Sequence, residues 1–390
     1  MSPERPADPA ESSTADETPE TSAATAASGS RPTSRRTVLA AGVPAVVGLL
    51  GLSALTNPRP ASLGGPTGDQ QLTSALAPHL DGHRRVAIAY LDGSGEARFA
   101  GFGAEATDEF EIGSASKTFA GALLAEAITR GEVTTSTTVT EVLGEEAQGS
   151  ETADVTLAEL ATHTSGLPRL AASGLTGSAL AAFLRKDPYA GRDASQVISD
   201  ALGSTLSQRG SFAYSNLGVA LQGQLLARAA GTEYSTLLTQ RILEPLGLEG
   251  TYAPITAGNL RGTATRGQGG SGLPQAPWTM DGSAPAGGIR STAEDLTAYL
   301  AGTLDGSAPG AAASTEILVE SSATERHAMN WFHEDFSDGS WHVFHNGMTG
   351  GFASFVGFTP ETGRGIVILT DTARSVDALA VDILAGEVAL

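Results

Sequence analysis

The chain is built around Glu111-Ile112-Gly113-Ser114-Ala115-Ser116-Lys117-Thr118-Phe119. Apolar residues then recur at helical spacing, at Phe119, Ala120, Leu123, Leu124, Ala127 and Ile128. This pattern predicts a helix with Ser114 in its first turn and Lys117 three residues on, along the same face. A hydroxyl beside an amine is a nucleophile with a possible base. Because backbone N–H groups in a first turn lack intrahelical partners, an oxyanion formed at Ser114 would meet donors already in place.

Lysine is scarce in this chain, which gives weight to an otherwise weak Ser-x-x-Lys motif. Of the 23 Lys and Arg residues, only Lys117 and Lys186 are lysine. Of these two cations only the amine can be deprotonated in a protein. The alternative is a helix start with a solvated lysine, and the scarcity of lysine favours the chemical role.

Composition excludes several classes of function. The chain has 390 residues, a formal charge of −20 and a pI near 4.7, with no basic cluster. This balance argues against a nucleic-acid partner. Zero cysteine removes disulfides, thiolate zinc sites and cysteine nucleophiles. We expect no cofactor and a monomeric protein.

The N-terminal region indicates export. Residues 1–33 have a disordered composition, rich in Pro, Ala, Ser, Thr and acidic residues. Residues 34–56 begin with Ser34-Arg35-Arg36-Thr37-Val38-Leu39 and continue without charge from residue 38, which resembles a twin-arginine export signal. The uncharged run of 38–56 is either removed or retained as a membrane anchor. A Pro/Gly-rich linker, 57–69, leads into a domain at 70–390.

Strand patterns lie at both ends of the domain and helical patterns lie between them. Residues 85–91 and 97–102 predict a hairpin, and residues 341–344, 352–358 and 365–370 predict later strands. Helical periodicity dominates between the two groups, and a last helix carries Val376, Leu379 and Ile383. We therefore predict an α/β (α+β) fold with one sheet made from both chain ends and a helical insertion at about 118–325.

Tyr214-Ser215-Asn216 is the only Tyr-x-Asn in the chain. A phenol of pKa ~10 is inert as a base at neutral pH, but a neighbouring ammonium favours the phenolate. Tyr214 with Lys117 could then take the proton from Ser114 and return it to the leaving group. The alternative is a loop tyrosine bonded to backbone.

His345-Asn346-Gly347-Met348-Thr349-Gly350-Gly351 follows the strand that starts at Trp341. Glycines at a strand edge let a substrate approach closely, although a strand-to-strand turn would also use them. A metal site at His342 and His345 fails because residues three apart on a strand face opposite sides. No His-Glu-x-x-His is present either, so we expect no metal.

Ser114-x-x-Lys117, Tyr214-x-Asn216 and His345-x-Gly347, in this order, resemble the three signature elements of serine β-lactamases and penicillin-recognising peptidases. The Tyr-x-Asn element is similar to that of class C β-lactamases and low-molecular-weight DD-peptidases. The resemblance implies an antiparallel sheet flanked by helices, an inserted all-helical domain and a site in the cleft between them.

The resemblance also implies residue roles. Ser114 would be acylated, Lys117 and Tyr214 would shuttle protons, and Asn216 would hold Lys117 and a substrate amide. Backbone N–H groups of Ser114 and Met348 would form the oxyanion hole. The third element, with Gly347, would bind substrate.

The third element departs from the Lys-Thr-Gly of many class C β-lactamases, because His345 and Asn346 take the places of the cation and the hydroxyl. We expect carboxylate recognition by His345 to fade as an unperturbed histidine loses its charge near pH 6.5.

We therefore expect an exported serine hydrolase acting on peptidoglycan-type D-Ala peptides or β-lactams. The alternatives are an esterase acting on small neutral esters and a slowly acylating penicillin-binding sensor without turnover.

Export is testable through the arginine pair. We expect Arg35→Lys with Arg36→Lys to block export of the folded protein, because the pair precedes an uncharged, Gly-containing run. The measurement is the fraction of the protein outside the cytoplasm. Undiminished export of the double variant would contradict the prediction.

Overall fold

The computed structural model describes residues 61–172, 175–322 and 324–390. The predicted N-terminal extension, the export segment and the first residues of the predicted linker lie outside the described residues. Within the described residues, no helix combines the length and apolar character needed to cross a bilayer.

Both chain ends contribute strands to one sheet, as predicted. Its order is β1-β3-β2-β11-β10-β9-β8-β7-β6, and neighbouring strands run antiparallel. A separate two-stranded pair joins β4 to β5. The strands are β1 Pro66–Gly68, β2 Val86–Asp92, β3 Ala97–Phe102, β4 Phe110–Glu111, β5 Arg290–Ser291, β6 Val319–Glu320, β7 Glu325–His327, β8 Phe332–Asp335, β9 Trp341–Met348, β10 Ala353–Thr359 and β11 Arg364–Thr370. The predicted antiparallel sheet flanked by helices is confirmed.

The predicted hairpin is β2 and β3, joined by a turn around Gly93 and Gly95. The predicted linker, 57–69, contains the edge strand β1, whose Thr67 donates a hydrogen bond to the carbonyl of Ala104. The sheet therefore starts before residue 70.

Helices are the main regular structure between β4 and β6 in the part of the chain that the structure describes. The α-helices are α1 Gln70–Leu76, α2 Ser116–Thr129, α3 Val139–Leu143, α4 Leu157–Ala161, α5 Leu175–Phe183, α6 Ala194–Leu202, α7 Asn216–Ala229, α8 Tyr234–Leu238, α9 Glu244–Leu246, α10 Ala293–Asp305, α11 Ala311–Ser314 and α12 Asp377–Leu384. Helix α10 packs against β2 and β11, so the predicted insertion of 118–325 includes a helix of the sheet layer.

The sheet separates two apolar layers because side chains alternate along its strands. Val86 and Ile88 belong to the layer beneath α1 and α12. Ala87 and Ala89 face the larger layer, which is shared with the inserted helices. The functional motifs lie on this second side, apart from the side chain of Asn346.

Helix α2 crosses the larger layer and is buried on nearly every side, which explains why most of its residues are small or apolar. Its middle passes directly over the chain at Met329. A Cβ at Gly121 would lie 1.9 Å from the Met329 carbonyl oxygen, so only glycine permits this approach. The close contact fixes the depth of α2, and with it the position of Lys117.

Candidate active site

Ser114 lies in a single 3₁₀ turn, Gly113–Ala115, that runs directly into α2. The nucleophile candidate is therefore at the start of a helix, as predicted, and its side chain is half-buried. Ser116 is fully buried, and its hydroxyl accepts a hydrogen bond from the Ile289 N–H at 3.1 Å. Of these two serines, only Ser114 is open to a substrate.

Lys117 has no solvent-exposed surface and contacts three oxygen atoms. Its Nζ lies 3.1 Å from Ser114 Oγ, 2.9 Å from Asn216 Oδ1 and 2.5 Å from the Ala286 carbonyl oxygen. Burial, followed by the charge of Arg169, holds the pKa of Lys117 well below its ordinary value of 10.5. The amine beside the nucleophile is therefore disposed to be neutral.

Tyr214 and Asn216 flank the start of α7. Ser215 caps this helix by accepting a hydrogen bond from the Gly218 N–H at 2.9 Å, and it also donates to the Pro168 carbonyl. The cap sets Asn216 at the first helical position, where its amide oxygen meets Lys117. The structure thus brings both ends of the Tyr-x-Asn motif to Ser114 and Lys117.

The phenol of Tyr214 is neutral, which corrects the expectation of a phenolate. Its ring keeps some exposure, and its centre lies 5.0 Å from Lys117 Nζ. Burial raises the pKa of Tyr214 to about 12, against a hydrogen bond with Ser114 and the charge of Arg169, which both lower it. The expectation relied on an ammonium at Lys117, whereas burial favours the neutral form of the amine as well as that of the phenol.

His345 is fully buried on β9 and points toward the site, with its ring 6.5 Å from that of Tyr214. Its Nδ1 lies 2.7 Å from the Asn346 carbonyl oxygen, which can only accept, so Nδ1 carries the proton. Burial and the nearby Lys117 lower the pKa of His345 to about 3. The expectation that His345 reads a carboxylate as a cation near neutral pH is therefore wrong.

Asn346 lies on the opposite face of β9, because successive side chains on a strand alternate. Its amide nitrogen donates to Asp377 Oδ2 at 2.7 Å, at the start of α12. His342 also turns away from the face of His345 and stacks on Phe344 at 4.9 Å. The predicted substrate contact of Asn346 is not supported by this orientation.

Gly347 brings β9 against the Gly113–Ala115 turn. A Cβ at position 347 would lie 2.0 Å from the Ile112 carbonyl oxygen and 2.9 Å from the Ser114 nitrogen. Glycine is thus required for packing here, whereas the sequence suggested substrate approach. The strand and the turn meet without a side chain between them.

The N–H of Met348 points toward this same junction. Thr349 N–H donates to the Phe352 carbonyl, so by antiparallel alternation the neighbouring Met348 N–H points away from β10. The pairing of β9 with β8 ends at Phe344. A Cβ at Gly113 would lie 2.7 Å from the Met348 nitrogen, so this donor lies beside the turn that carries Ser114.

A buried ion cluster supports the turn from behind. Arg290 has no exposed surface and pairs with Glu109 and, at 2.9 Å, with Glu111. Burial raises the pKa of Glu111 to about 7, although Arg290 lowers it. Glu111 also accepts from the Trp278 N–H at 3.0 Å. These bonds hold β4, the strand that leads into the Gly113–Ala115 turn.

Sequence reasoning missed three contributors to the site. The Ala286 carbonyl accepts from Lys117, and a backbone acceptor has no residue signature. Tyr189 accepts from Asn216 Nδ2 at 3.2 Å and follows a short polar turn. The Arg169 guanidinium lies 5.0 Å from the centre of the Tyr214 ring. Arg169 directly follows Gly166-Leu167-Pro168.

Comparisons with known proteins found a matching family and related chains. A family model described as Beta-lactamase matches residues 72–390. A beta-lactamase from Pseudomonas fluorescens is 26% identical over 302 residues, which cover 67% of this chain and 79% of the relative.

Solved structures share the fold. The D-alanine carboxypeptidase AmpC from Burkholderia cenocepacia is 22% identical, with a TM-score of 0.66 over 81% of this chain and 97% of that one. A class C beta lactamase from Rhodobacter sphaeroides is 19% identical, with a TM-score of 0.69 over 83% and 100% of the two chains.

The buried state of His345 gives a prediction about pH. We expect its imidazole NMR signal, identified by its loss in His345→Gln, to stay constant between about pH 5 and 8, because its pKa is lowered to about 3. The ratio of kcat/KM for a carboxylate-bearing thioester to that for its neutral amide analogue should stay flat over the same range.

The lowered pKa of His345 also determines how the stability of the fold depends on pH. An unfolded chain protonates this histidine near pH 6.5, so the stability gained from the neutral buried form is complete above about that pH and is lost as pH falls toward 3. Titration of the folded signal near pH 6.5 would show that His345 is accessible as a cation.

Proposed function

The chain belongs to the beta-lactamase family of serine hydrolases, and on that basis we propose that it forms an acyl-enzyme on Ser114. The observation that carries the proposal is the buried amine of Lys117, 3.1 Å from Ser114 Oγ. A nucleophile in contact with a base of lowered pKa is the arrangement that covalent catalysis requires.

Lys117 acts as the base in this proposal. A neutral amine has two N–H donors and one lone pair. Asn216 Oδ1 and the Ala286 carbonyl accept the two donors, and the lone pair receives the Ser114 hydroxyl. After proton transfer, the ammonium donates to the same three oxygens. Both charge states are satisfied without rearrangement, which keeps the reorganisation cost of the step small.

The oxyanion formed by attack of Ser114 Oγ on a carbonyl would accept from the N–H groups of Ser114 and Met348. The first lies in a helix's first turn, and the second points away from β10 beside that turn. Donors fixed before the reaction stabilise developing charge more than water does.

Tyr214 acts as a proton donor. A phenol with a pKa of about 12 is protonated at neutral pH and is hydrogen-bonded to Ser114. It can pass its proton to the leaving group and regain one from the Lys117 ammonium. Lys117 Nζ lies 5.0 Å from the centre of the Tyr214 ring. Lys117 and Tyr214 thus divide the roles of base and acid.

We propose D-Ala peptides or β-lactams as substrates, in keeping with the D-alanine carboxypeptidase and the class C beta lactamase that share the fold. Small neutral esters are the second candidate. The observation that favours them is the third element, where His345 is neutral and Asn346 is bonded to Asp377, so neither offers a charge to a carboxylate. Export through residues 34–56 and action as a monomer complete the proposal.

Covalent labelling tests the nucleophile. We expect a fluorescent penicillin or a fluorophosphonate to label the wild type, and Ser114→Ala to abolish labelling, because no other hydroxyl contacts Lys117 Nζ among the described residues. Ser211→Ala, at an exposed serine three residues before Tyr214, is the matched control and should label normally. Labelling that persists in Ser114→Ala would refute the assignment.

Arg169 gives a test of the base. Its charge lowers the pKa of Lys117, so Arg169→Gln should raise that pKa and leave less neutral amine at a given pH. We expect the acid limb of the plot of acylation rate against pH to move to higher pH by about one unit. The measurement is the burst rate with an activated ester.

The matched control is Arg228→Gln on α7, whose pair with Glu146 is exposed. Its acid limb should coincide with that of the wild type. An acid limb that stays in place in Arg169→Gln, or moves downward, would mean that Lys117 is not the group that titrates.

A further inference from the structure

Helix α5 presents an apolar stripe to solvent. Leu180, Phe183 and Leu184 are 59%, 69% and 51% exposed. Their spacing of three and four residues places them on one helical face, and Leu184 N–H still bonds to the Leu180 carbonyl at 2.9 Å. Large apolar side chains that cluster at this exposure mark an interaction surface.

Two exposed cations, Arg185 and Lys186, directly follow the stripe. Between residues 160 and 192 the sequence has four basic residues and one acidic residue, Asp187, in a chain whose net charge is −20. Asp187 turns inward, since its carboxylate accepts from the N–H groups of Thr279 and Met280 at 2.8 and 3.0 Å. The outward charge beside the stripe is therefore positive.

We propose that this surface, the α5 patch (Leu180, Phe183, Leu184, Arg185 and Lys186), binds the anionic surface of a lipid bilayer. The exposed Leu and Phe side chains can bury apolar surface at a membrane interface while the cations that follow the helix meet anionic headgroups. Each basic residue near an anionic surface adds to the attraction, which the rest of this acidic chain lacks.

A second copy of the chain fits the patch poorly. A two-fold contact through the patch would bring two Arg185-Lys186 pairs together, and like charges oppose such a contact. Three apolar side chains are also few beside the roughly 20–30 residues per partner in a stable interface. The positive charge of the patch therefore favours an anionic lipid surface over a second copy of the chain.

The patch is tied to the active site through short connections. The Arg185 carbonyl accepts from the Ala276 N–H at 3.0 Å, in the segment that leads to Trp278. Tyr189, three residues beyond Lys186, accepts from Asn216. A bilayer bound at the patch would therefore lie close to the Tyr189 side of the site.

A local fluorescent probe tests the proposal in the full chain. The chain has no cysteine, so Leu184→Cys can be labelled with bimane at a single position. We expect a blue shift with vesicles of equal parts phosphatidylglycerol and phosphatidylcholine, weaker at about 0.5 M salt and weaker still with phosphatidylcholine alone. Glu361→Cys, in the turn between β10 and β11, should show no shift.

Three results would overturn the proposal: no shift at position 184, an equal shift at position 361, or a shift without vesicles that grows with protein concentration. The last would assign the patch to a second copy. The probe reports the environment of position 184 and does not report that of residues 38–56.

Vesicle co-sedimentation supplies matched variants. Phe183→Ser with Leu184→Ser should weaken binding roughly tenfold or more, as should Arg185→Gln with Lys186→Gln. Ile317→Ser with Leu318→Ser removes another exposed apolar pair, 43% and 37% exposed, and should change nothing. Equal losses in the two serine pairs would refute a specific role of α5. Unchanged thermal unfolding would show that the variants fold.

Discussion

The site depends on the amine of Lys117, which is buried with no counter-ion in contact among the described residues. Lys117 is out of water, and its three contacting partners are neutral oxygens contributed by the Gly113–Ala115 turn, by α7 and by the carbonyl of Ala286. A buried ammonium would cost several kcal/mol, and the cost falls when the group is discharged. Three segments distant in the sequence must therefore converge on one nitrogen, and the same burial that makes their meeting necessary lowers the pKa of the amine.

In the neighbouring ion cluster, a buried charge is retained and paired. Arg290 cannot discharge, so its guanidinium is matched by Glu109 and Glu111 and by the Thr265 carbonyl. Lys117 and Arg290 therefore occupy different sites, because only the lysine side chain can lose its proton. The arginine cluster holds the strand before Ser114, whereas the lysine faces the serine itself.

The sequence predicted the sheet from both chain ends because its strands carry an alternating or continuous apolar pattern that needs no tertiary information. Ser114, Lys117, Tyr214 and Asn216 were named from motif order, and the structure brings them together. The charge states of Tyr214 and His345 were not predictable, since they depend on burial by segments far away in the chain. The face of β9 on which Asn346 lies depends on strand register, and a one-residue shift would move its side chain to the other face.

The contact at Gly347 has a consequence for how this fold can vary. The donors at Ser114 and Met348 belong to segments more than 230 residues apart in the chain, yet backbone meets backbone where they join. Their separation is therefore set by van der Waals contact and is independent of the length of chain that connects them. Insertions and deletions in the intervening helices can remodel the walls of the cleft while the donor spacing stays the same. The residues around the site can therefore change within one scaffold, while the absence of a side chain at Gly347 keeps the two N–H groups at a constant separation.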